Sequence, residues 1–76
     1  MNKFIKASQQ GDEIYININS IASVEPFEIE SGKIVPYATL NSGNCCIIEG
    51  YEDNFVFFVA ELNEALKWKT FIMKYQ

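Results

Sequence analysis

The spacing of apolar residues changes once along this 76-residue chain, and that change fixes the class of fold available to it. Up to Glu49 the pattern is alternation. Ile14, Ile16 and Ile18 fall on one face of an extended segment and Tyr15 and Asn17 on the other, the period of a half-buried strand. From Phe55 onward, Phe55, Phe58, Val59, Leu62, Leu66 and Met73 recur at helical spacing and form one stripe. Turn residues at Gln9-Gln10-Gly11-Asp12, Ser31-Gly32 and Asn41-Ser42-Gly43-Asn44 cut the first part into short pieces. The strands expected between them cover residues 4–7, 13–18, 21–29, 33–40 and 44–49. Pro26 and Pro36 cannot donate to a ladder, so Pro26 predicts an edge or a bulge and Pro36 an edge. Past Pro26, the alternation predicts Phe27 and Ile29 inward and Glu28 and Glu30 outward.

The second part reads as a helix over about 51–74. Glu52 and Asp53 suit its positive end, and Lys67, Lys69 and Lys74 suit its negative end. The run Phe55-Val56-Phe57-Phe58-Val59 is also strand-prone, which leaves open a sixth strand and a shorter helix from Ala60. The predicted class is α+β: a small antiparallel sheet of about five strands over residues 3–49, with one C-terminal helix packed on one face. The whole chain, 1–76, reads as a single domain. A chain this short sits near the lower limit for folding on its own core.

Composition then narrows function. The chain has six lysines, no arginine and no histidine against ten carboxylates, a net charge of -4. Without histidine there is no imidazole base, no Ser-His or Cys-His pair and no imidazole metal ligand. Without arginine there is no bidentate clamp for phosphate. Six scattered lysines make no basic stripe, which argues against direct nucleic-acid or anionic-membrane binding. The longest apolar run, residues 55–60, is far short of the ~20 residues of a spanning helix. The N-terminus lacks the apolar core of a secretory signal, and the expected setting is the cytoplasm.

Cys45 and Cys46 are neighbours in a strand, so they point to opposite faces and read as two reduced thiols. The acidic groups Glu25, Glu28, Glu30 and Glu49, Glu52, Asp53 lack the spacing of a calcium loop and read as solvated surface. No glycine pair has the spacing of a phosphate-binding loop. No catalytic residue, metal or cofactor is expected, and the chain reads as a non-enzyme.

What remains is apolar surface. On a helix running to Lys74, Phe57, Trp68, Phe71, Ile72 and Tyr75 make a second cluster roughly opposite the first. One sheet hides only one side of a helix. The cluster therefore reads either as a protein-binding patch or, if the helix ends near Lys67, as a tail folded back onto the same core.

The segments Gly11-Asp12-Glu13-Ile14-Tyr15-Ile16-Asn17, Ile21 with Val24-Glu25, Thr39-Leu40-Asn41-Ser42-Gly43 and Ile47-Ile48-Glu49 before a helix carry a resemblance. Together they resemble the small bacterial flagellar and swarming-motility accessory proteins of the FlbD type, over about two thirds of the chain. The region from Pro26 to Pro36 and the aromatic C-terminal tail depart from that family. The resemblance implies a cytoplasmic bacterial accessory that acts through protein contacts, and it brings no catalytic or ligand residues.

The leading expectation is a protein-interaction module that forms a homo-oligomer through Phe57, Trp68, Phe71, Ile72 and Tyr75, with an unpaired sheet edge as the second surface. Two other classes stay open. One is a small-molecule binder with a pocket between sheet and helix, lined by Phe55 and Phe58. The other is a regulator associated with nucleic acid through a partner.

Overall fold

The computed structural model describes residues 1–67 and Phe71. Five strands come first: β1 (Phe4–Gln9), β2 (Asp12–Asn17), β3 (Ile21–Glu28), β4 (Ile34–Leu40) and β5 (Cys45–Ile48). A 3₁₀ turn (Ile18–Ser20) joins β2 to β3, and one helix, α1 (Phe55–Ala65), follows β5. All pairings are antiparallel, in the order β2-β1-β5-β4-β3. The fold is α+β, with the helix near the C-terminus.

The turns follow from their residues. Gln10 (φ 51) and Gly11 (φ 87) both take positive φ between the paired Gln9 and Asp12, the two-residue hairpin turn whose twist matches the strands. The β4–β5 turn is closed by the Gly43 N–H donating to Leu40 O at 2.9 Å. Gly43 then takes φ 96, where a side chain would be strained.

The sheet curls strongly, and the topology requires it. In a flat sheet β2 and β3, at opposite edges, would lie about 19 Å apart at ~4.8 Å per strand. Only the 3₁₀ turn Ile18–Ser20 separates them in sequence. Even extended, the path from Asn17 to Ile21 spans at most about 15 Å. The edges must therefore swing together at that corner. The Asn17 side chain accepts from Asn19 N (2.9 Å), and Asn41 N donates to Ser20 O (2.8 Å), fixing the corner against the β4–β5 turn.

The concave face holds the core. Ala7, Ile16, Ile18, Ile21, Val24, Ala38, Cys46 and Ile48 meet Phe55, Phe58, Val59 and Leu62 of α1, with Leu66 and Phe71 beyond it. The expected alternation in β2 holds: Ile16 and Ile18 are buried, Ile14 is half-buried and Tyr15 is exposed.

Four expectations need correction. Phe27 does not face inward; it is 45 % exposed and stacks with Tyr37 at 5.3 Å between ring centroids. The cause is a bulge between Ile21 and Ser23, which shifts the inward set from Ile21 to Val24 and reverses every later position. Pro26 does sit on an edge strand, but Pro36 lies in β4, between β3 and β5. It is tolerated because the β4–β5 pairing covers only Tyr37, Ala38 and Thr39 and stops short of Pro36.

The helix is shorter than 51–74 at both ends. Asp53 takes φ 58 and turns back, its N–H donating to Ile34 O (2.6 Å) while its carboxylate accepts from Ile34 N (2.9 Å). Helix formation therefore waits for Phe55, and Glu52 and Asp53 stay outside its first turn. The other end stops at Ala65, capped by the Leu66 N–H on Leu62 O. The run Phe55-Val56-Phe57-Phe58-Val59 is helical, so no sixth strand forms there.

Candidate interaction surfaces

The short helix changes which aromatics are free. Phe71, read either as an outer contact or as part of a tail folded onto the core, is 6 % exposed and belongs to the core cluster. The helix ends at Ala65, and the Phe71 N–H donates to Asn63 Oδ1 at 2.8 Å. Trp68, Ile72 and Tyr75 lie outside the described residues. Of the five expected contacts, Phe57 is the one placed in the open.

Phe57 and Val56 are each 56 % exposed, although Phe55, Phe58, Val59 and Leu62 on the same helix are buried. At 100° per residue, the four buried positions fill one side and leave 56, 57 and 60 on the other. Beside them runs an open groove of about 520 Å³, bounded by Ile34, Asp53, Phe55, Val56, Phe57 and Ala60. Ile34 and Asp53 line it, and their pair of hydrogen bonds ties the segment before α1 to the start of β4.

Tyr51 braces this corner. Its ring meets Phe58 edge-on at 4.9 Å and lies 6.3 Å from Phe57. Its hydroxyl donates to Glu61 Oε1 at 2.7 Å. Burial, and then the Glu61 carboxylate, push the phenol from 10.0 up to about 12. A hydroxyl that holds its proton so firmly is a strut rather than an acid.

Phe55 and Phe58, expected to line a ligand pocket between sheet and helix, are buried with Leu62 in the core.

A second surface lies on the convex face and edge of the sheet. Phe4, Tyr15 and Phe27 are exposed there, and Lys6 pairs with Glu13. Cys45 is half-buried, its Sγ 3.6 Å from Thr39 Oγ1, while Cys46 points into the core. A hydrogen bond with Cys45, together with its charge, raises the Tyr37 phenol above its ordinary value. Burial raises the Cys46 thiol, and the neighbouring Cys45 adds to that. Among the described residues no three His, Cys, Asp or Glu side chains gather as a metal site, and no helix is long and apolar enough to cross a membrane.

Comparison of the chain with protein-family models, curated proteins and solved structures gives no match.

Proposed function

We propose that the protein is a non-enzymatic interaction module that self-associates through the solvent side of α1. One observation carries the reading: two large apolar side chains, Val56 and Phe57, stand in the open beside a groove lined by Ile34 and Ala60. Each copy thus offers both a ring and a slot for a ring, which is what a two-fold contact between identical chains needs. A domain with so small a core also gains from association, since apolar area buried between copies adds to the little it buries alone. The resemblance to flagellar and swarming accessory proteins, which implies action through protein contacts, points in the same direction.

Sedimentation velocity tests it. The wild type is expected to show concentration-dependent mass in the micromolar range, and Phe57→Ser to weaken that association while keeping the wild-type circular dichroism. An association unchanged by Phe57→Ser, or a monomer throughout the range, refutes the α1 surface.

A further inference from the structure

The two edges of the sheet differ in a way that decides what each can pair with. The Ile18 N–H donates to Lys3 O at 2.8 Å, in register with the β1–β2 ladder. Ladder bonds in an antiparallel pair alternate, so Ile14, Ile16 and Ile18 spend their backbone groups on β1. The N–H and C=O groups of Glu13 and Tyr15, and the N–H of Asn17, point the other way, out of the sheet. The Asn17 C=O is taken by Ser20 Oγ at 2.6 Å. Among the described residues no strand pairs on that side of β2.

At the opposite edge, the Ile29 N–H donates to Lys33 O (2.9 Å), so the outward groups of β3 belong to Val24, Pro26 and Glu28. Pro26 has no N–H, and the bulge between Ile21 and Ser23 distorts the same strand. Both features block strand addition. β2 has neither a proline nor a bulge.

We propose that β2 pairs antiparallel with β2 of a second copy, about a two-fold axis at Tyr15. This rests on the reading of the protein as a self-associating module but not on the α1 surface. In that register the two Tyr15 residues exchange both backbone bonds, and each Asn17 N–H reaches the Glu13 carbonyl of the other copy. The charges favour it as well. Glu13 lies opposite Asn17 of the second copy rather than opposite another carboxylate, and its own charge is already matched by Lys6. Ile14 falls opposite Ile16 of the second copy on the concave side, so the half-buried Ile14 gains cover. Because β3 is blocked, sheet extension stops at two copies. Together with the α1 contact, this edge carries assembly beyond the dimer, since two distinct two-fold contacts on one chain link more than two copies.

Amide hydrogen exchange on the wild-type chain reads the edge directly. The Tyr15 and Asn17 amides are expected to gain protection with rising concentration, while the Val24 and Glu28 amides of the blocked edge do not. Tyr15→Pro removes the central donor at a position whose N–H makes no bond within the monomer, so the fold is expected to persist. Self-association through this edge is expected to weaken by about tenfold or more. In sedimentation, Tyr15→Pro retains the α1 contact, Phe57→Ser retains the edge contact and the double variant is monomeric. Concentration-independent exchange at Tyr15 and Asn17, or assembly unchanged by Tyr15→Pro, overturns the edge pairing and leaves the α1 result standing.

Discussion

Phe57 and Phe58 are identical neighbours with opposite surroundings, and that contrast gives the sharpest test of the packing. Phe58 is 0 % exposed, sits at the centre of the core cluster and receives the edge of Tyr51. Truncating a fully buried Phe to Ala costs about 3–5 kcal/mol in lost transfer energy and residual cavity. A single core in a chain of this length supplies roughly 3–5 kcal/mol in all. Phe58→Ala is therefore expected to be unfolded at room temperature, with the far-ultraviolet circular dichroism of a coil. Phe58→Leu, which removes less volume, is expected to fold with a loss of about 1 kcal/mol in urea titration. Phe57→Ala leaves a half-open surface position and is expected to stay within about 0.5 kcal/mol of wild type. The titrations belong at low micromolar concentration, because the proposed self-association would add apparent stability that Phe57→Ala would also remove. A folded Phe58→Ala within about 1 kcal/mol of wild type, or a Phe57→Ala as damaging as Phe58→Ala, would refute the assignment of inner and outer helix faces.

Two further outcomes follow from the sheet and from the Tyr51 brace. A thiol reagent applied to the native chain at neutral pH is expected to modify Cys45 first, with Cys46 reacting only on unfolding, since Cys46 is buried and its thiol is held above its ordinary value. Equal rates at both positions would contradict the facing of β5. Tyr51 keeps its proton to about pH 12 in the fold and ionises near 10 when unfolded. Its contribution to stability is thus complete below about pH 10 and lost as pH rises from there to about 12. Tyrosinate absorbance should show a component titrating near pH 12, and Tyr51→Phe should remove it.

Most of the sheet is legible in the residues because alternation and turn chemistry agree. Ile14, Ile16 and Ile18 announce β2, and each hairpin turn contains the glycine its positive φ requires. The faults have local causes that alternation alone cannot reveal. Ile21 and Val24 are the large apolar residues of β3 before Pro26, three apart, a spacing that fits neither face of a regular strand. That odd spacing is the trace of the bulge, and missing it sends Phe27 to the wrong side. The helix end left a trace too. Extending the stripe Phe55, Phe58, Val59, Leu62, Leu66 by one turn reaches Lys69 and Thr70, both polar. The chain carries no Gly or Pro there to stop the helix, so composition alone offers no warning.

The candidate surface was less legible for the same reason. A helix projected to Lys74 places Phe57 and Phe71 on one outer stripe; ending it at Ala65 separates them, one open and one in the core. The backbone row of β2 could not be read from side chains at all, because it depends on which edge strands the topology leaves unpaired. Once that order is known, the asymmetry is already written in the residues. β3 carries Pro26 in the middle of its outward row, whereas β2 carries Tyr15. A chain under pressure only to stay monomeric would need to block both edges. Blocking one and leaving the other regular, apolar on its inner side and neutral in its own register, is the asymmetry on which the proposed β2 pairing rests.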